Sequence, residues 1–140
     1  MRKFIMNAGK QAITNEDFSY LEKKYNAQFP DEFKEFYSKN NGADIYLCQF
    51  KDVYEVNSFL PLRGDWSIES VKDDELSDGI IPINMIPFAD DEGGDFYYIN
   101  LIDKAIYLIR SDNIERYLLI ANSFNEFLDI LDNSEMQGGI

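Results

Sequence analysis

Apolar residues in the first forty positions follow a helical period. Phe18, Leu21 and Tyr25 fall on one face of a helix that opens with the capping-box spacing of Thr14 and Asp17 and runs to about Asn26. Pro30, then Asp31 and Glu32, suit the start of a second helix, which carries the stripe Phe33, Phe36 and Tyr37. Asn40-Asn41-Gly42 stops it, because these residues accept the left-handed backbone of a helix end. The expectation is a helical hairpin hinged at Gln28-Phe29-Pro30.

From Ile45 the period shortens. Runs rich in Ile, Val, Tyr and Phe at 45–50, 53–60, 85–89, 96–102, 105–110 and 114–121 predict strands. The pair 96–102 and 105–110, separated by Asp103-Lys104, predicts a hairpin. Phe4-Ile5-Met6 is short enough to add a strand or lie loose, and Ser67 to Glu75 supplies one short helix. Ser123 with Glu126 opens a final helix lined by Phe124, Phe127, Leu128 and Leu131, and Gln137 to Ile140 is expected to fray. Two helices, a run of strands and one helix describe an α+β fold with a mainly antiparallel sheet carrying the helices. The chain of 140 residues is expected to form one domain, with 1–13 and 134–140 as peripheral ends.

Charge changes the picture more than size does. Thirteen Lys and Arg face twenty-six Asp and Glu, a net charge of −13 that repels nucleic-acid phosphates and anionic lipid and attracts cationic partners. Histidine is absent, so no His-activated nucleophile and no His-containing metal set can be built. The lone Cys48 cannot close an internal disulfide; it fits a reducing compartment and reads as a small buried hydrophobe in its strand. The N-terminal apolar stretch is too short for a signal peptide and no run reaches transmembrane length, so a cytoplasmic location is expected.

The densest charge lies in PFADDEGGDFYYI, residues 87–99. A metal site would use Asp90, Asp91, Glu92 and Asp95, yet the alternating spacing of a calcium loop is missing. Carboxylate catalysis needs one acid in an apolar pocket, whereas this turn reads as wet. A solvated hairpin explains Gly93 and Gly94 through positive φ angles without explaining why the acids cluster. Docking of a cationic partner explains the cluster. Trp66, the only tryptophan, follows Arg63-Gly64-Asp65 in a loop, placed either to anchor that partner or to fold back into the core. Of Tyr97 and Tyr98, alternation sends one inward and leaves the other on an open sheet face.

Three stretches in order resemble one superfamily: Phe29-Pro30-Asp31-Glu32-Phe33-Lys34-Glu35-Phe36-Tyr37 leading to Asn41-Gly42-Ala43; Ile86-Pro87-Phe88-Ala89-Asp90 through Gly93-Gly94-Asp95-Phe96-Tyr97-Tyr98-Ile99; and Ala121-Asn122-Ser123-Phe124-Asn125-Glu126-Phe127-Leu128. Together they resemble the SUKH superfamily, which joins fungal SMI/KNR cell-wall regulators to bacterial immunity proteins. The resemblance implies an α+β domain without enzymatic activity, whose bacterial members bind and neutralise a toxin, often a nuclease. The alternative it leaves is an intracellular regulatory or scaffold module with no toxin partner. It implies neither cofactor nor metal. It assigns no contact residues, so Trp66, Asp90, Asp91, Glu92 and Asp95 are chosen as the partner-binding set on physical grounds.

Overall fold

The computed structural model describes residues 12–43, 45, 47–50, 54–132 and 135–137; the expectations for Phe4-Ile5-Met6 and for the last three residues lie outside them. Helix α1 (Asn15–Lys24) opens where the spacing places it, with the Thr14 amide donating to Asp17 at 2.8 Å. Helix α2 (Asp31–Asn40) begins one residue after Pro30, and Gly42 takes a φ of 81° beyond its end.

The strands form two antiparallel sheets. The smaller holds β1 (Leu47–Phe50) between β2 (Tyr54–Val56) and the last strand, β8 (Glu135–Gln137). The larger runs β3 (Ser58–Phe59), β4 (Met85–Asp90), β5 (Phe96–Asn100), β6 (Ile106–Ile109) and β7 (Tyr117–Ala121) in chain order. The expected strand 53–60 is therefore two strands in two sheets, divided at Asn57, whose amide donates to the Asp90 carbonyl at 2.8 Å. Gln137, expected to fray, pairs with Leu47 in β8. The side chain of Cys48 lies outside what the structure describes.

Two further helices complete the chain, α3 (Ile68–Asp78) and α4 (Phe124–Asp132). α3 is longer than expected: the Ser67 and Ser70 hydroxyls each accept the other's amide at its start, and Gly79 ends it at φ 71°. At α4 the Glu126 amide donates to the Ser123 hydroxyl at 3.0 Å, as the spacing predicts.

One face of the larger sheet meets α1, α2 and α4. Phe88 on β4 lies 5.3 Å from the rings of both Phe124 and Phe127 and 6.3 Å from Phe33, so one aromatic layer ties sheet to helices. The Tyr37 hydroxyl donates to the Leu60 carbonyl at 2.8 Å, which anchors α2 to the chain leaving β3. Ile68 and Val71 of α3 join this core. Further along, α3 leans over the opposite face of β4 and β5, above a second apolar cluster of Ile81, Met85, Tyr98 and Ile109. Tyr97 enters the main core as alternation predicts, but Tyr98, instead of standing in the open, is buried beneath α3. The observed class is α+β, a mostly antiparallel sheet with helices packed on it.

Candidate functional site

The acidic stretch is the β4–β5 hairpin. Its tip closes through the Asp91 amide donating to the Asp95 carbonyl at 3.0 Å and the Gly94 amide donating to the Asp91 carbonyl at 3.2 Å. Gly94 takes the positive φ, 90°; Gly93 does not. Three of the four acids serve the turn itself. Asp90 is 8% exposed and accepts the Ser58 hydroxyl at 2.7 Å, holding β3 to β4. Asp91, also 8% exposed, accepts the Asp95 amide at 2.9 Å. Asp95 accepts the Ser111 amide at 2.9 Å, tying the hairpin to the end of β6.

Arg110 completes the brace. Its guanidinium stands 3.7 Å from Asp91 and 3.5 Å from Asp95, so the side chain after β6 compensates charge that the hairpin concentrates. Glu92 is the exposed acid of the four, and its amide donates to the Glu55 carboxylate on β2 at 3.1 Å. The Tyr97 hydroxyl donates to the Glu55 carbonyl at 2.7 Å; burial first, then the nearby Asp91, holds that phenol above its ordinary range. The hairpin thus brings Asp90, Asp91, Glu92 and Asp95 together, with Glu92 beside Glu55 as its outward charge. Trp66 stands apart, 57% exposed, its ring 5.8 Å from Phe96 at the start of β5.

This arrangement can brace a turn and present anionic charge. Among the described residues no group of three or more His, Cys, Asp or Glu side chains is placed to hold a metal ion. An open hollow of about 350 Å³ lies at the end of α1, lined by Glu22, Lys23, Asn26, Ala27 and Gln28. Its one carboxylate, Glu22, already accepts the Phe29 amide at 2.8 Å and pairs with Lys34 at 2.9 Å. At the hairpin the two carboxylates that converge, Asp91 and Asp95, do so on Arg110.

Two features escape the sequence reading. One is a polar trio between α3 and β5, in which Lys72 and Tyr98 are buried and Glu75 is half-buried. The i, i+3 spacing of Lys72 and Glu75 was visible, but the full burial of Lys72 and the half-burial of Glu75 were not. The other is the outer side of β6 and β7, where Tyr107, Tyr117 and Leu119 lie. Its signal was present in Tyr117-Leu118-Leu119-Ile120, a run with no polar alternation in a strand at the sheet's edge.

Among the described residues the fold has four helices and a mostly antiparallel sheet, with its most acidic turn braced by partners from other strands and loops. The chain matches the SMI1 / KNR4 family (SUKH-1) over residues 12–130 and belongs to that family. Its fold is the type used by immunity proteins, the family is generally non-catalytic, and membership implies a protein partner. A search of curated proteins found no match. No described helix is long and apolar enough to cross a membrane.

Proposed function

We propose that this chain is a cytoplasmic immunity protein that binds a cationic toxin domain, a nuclease, and blocks it one to one without turnover. The observation that carries the reading is a net charge of −13 on a SUKH-1 member. A nuclease that grips phosphates needs a positive cleft, and an anionic protein can occupy that cleft or its rim. Of the partner-binding set, Glu92 and Trp66 offer exposed side chains for contact. Asp90, Asp91 and Asp95 act through the turn they hold, and Glu55 joins Glu92 in the outward charge.

The test is co-expression with the product of the neighbouring gene. Co-purification and restored growth are the expected results, and a Glu55→Gln/Glu92→Gln double variant should associate more slowly. Unchanged association in that variant would remove the hairpin from the interface. Persistent growth inhibition, or a neighbouring gene that encodes no toxin, would favour a regulatory or scaffold module.

A further inference from the structure

Strand β7 lacks the polar side that a surface strand ordinarily keeps. Ile120 and Leu118 pack with the main core, while Tyr117 and Leu119 stand on the other face, 39% and 57% exposed. In register, Leu119 lies opposite Tyr107 and Tyr117 opposite Ile109, and the Tyr107 and Tyr117 rings are 6.2 Å apart. One strand further, Phe96 lies opposite Ile109 and carries the exposed Trp66. An apolar stripe therefore crosses β5, β6 and β7 from Trp66 and Phe96 to Tyr107, Tyr117 and Leu119. α3 and Ile81 cover the β4 end of this face, over Met85 and Tyr98, and stop there.

Contiguous exposed apolar surface rimmed by charge marks interaction sites, and Trp and Tyr are the residues that most often anchor them. The rim is mainly acidic. Asp65 precedes Trp66, Asp95 precedes Phe96, Glu115 precedes β7, and Asp103 accepts the Tyr107 hydroxyl at 2.7 Å. Arg116 interrupts it, and Arg110 is engaged by Asp91 and Asp95. That charge selects the occupant. A second copy would set the same acids against themselves on a chain of charge −13, and nucleic acid or anionic lipid would be repelled outright.

We infer that the open half of the outer sheet face is a docking surface for a protein that offers an apolar centre ringed by Lys and Arg. This rests on the reading of the chain as a protein-binding module and moves the main contact from the acidic hairpin to the sheet. Apolar side chains supply the holding contacts; the acids steer and select.

The test uses a peptide of alternating Leu and Lys, titrated into isotope-labelled protein, with NMR shifts and Trp66 emission as readouts. Shifts should centre on β5, β6 and β7. Leu119→Lys and Trp66→Ala should each weaken binding at least about tenfold, while Glu35→Gln on α2, on the far side of the sheet, leaves it unchanged. Shifts centred elsewhere, or none, overturn the inference, as does unchanged affinity in both variants. A wild-type dimer that Leu119→Lys dissolves would give the face to a second copy and overturn it too. A peptide that maps to this face while the neighbouring toxin goes unneutralised removes the toxin reading and leaves the surface standing.

Discussion

Lys72 has no exposed surface, yet its ammonium donates to the Pro82 and Met85 carbonyls at 2.6 and 2.7 Å. Burial pushes its pKa down to about 8 from the ordinary 10.5, against the pull of Glu75. Burial pushes the Glu75 carboxyl up, opposed by the Tyr98 hydroxyl that donates to it and by Lys72. The second Glu75 oxygen, Oε1, is buried with no hydrogen-bond partner among the described residues. The trio pins α3 and its following loop to β4 and β5. Lys72→Met keeps the volume but strands two carbonyls and leaves Glu75 uncompensated, so it should cost about 2 kcal/mol at neutral pH by chemical denaturation. Between pH 8 and 10.5 the unfolded chain holds the lysine proton more tightly than the folded one, so this group makes stability rise with pH in that window. The tyrosines held above their ordinary range act oppositely from about pH 10 upward, in wild type and variant alike. The wild-type-minus-variant difference between pH 8 and 9.5 should therefore grow with pH. A flat difference would show that Lys72 is not depressed.

At the scale of elements, α3 shows how tertiary contacts complete a weak local signal. Its sequence pattern supports a short helix at Ser67 to Glu75, and the observed helix extends to Asp78. A clasp to α1 holds its first half. Lys24 pairs with Glu69 at 2.9 Å and Asp73 at 2.7 Å, the Tyr25 hydroxyl donates to Asp73, and Arg63 reaches Glu69 at 3.0 Å. Burial works against ionisation of Glu69, but hydrogen bonds from Lys24 and Arg63 outweigh it and hold the carboxyl below 4.5. A depressed carboxyl stabilises the fold above its unfolded value and loses that contribution as pH falls through its folded value. Glu69→Gln should cost about 1 kcal/mol at neutral pH, discounted for the partly exposed partners, and nothing once both forms are protonated. A cost that persisted at low pH would mean shape, not charge, is what Glu69 supplies. The strand that splits at Asn57 follows the same logic: one β-rich run serves two sheets because its two ends meet different partners, β1 and β4.

At the scale of the molecule, the helices and strands give the interior and the surplus acids give the field. The central fold was legible because aromatic spacing in α1, α2 and α4 is a local, periodic signal reinforced by caps at Thr14 and Ser123. A net charge of −13 makes one kinetic prediction for the proposed complex. Raising salt well above physiological strength should slow association with the cationic partner at least about tenfold while changing dissociation little, read by stopped-flow on Trp66 emission. A salt-insensitive association rate would place the binding energy and the encounter alike in apolar contacts.

The amino-acid sequence by itself determined α1, α2 and α4, the caps at Thr14 and Ser123 and the anionic balance, because each depends on neighbours within a few positions or on composition. Tertiary structure decided which charges are available. Asp90 meets Ser58, Asp91 meets Arg110 and Asp95 meets Ser111, partners supplied by other strands and loops, so a cluster that reads as one patch is largely the interior of a turn. It also decided which of two apolar faces on β5, β6 and β7 would be covered, since only packing between distant segments removes a side chain from water.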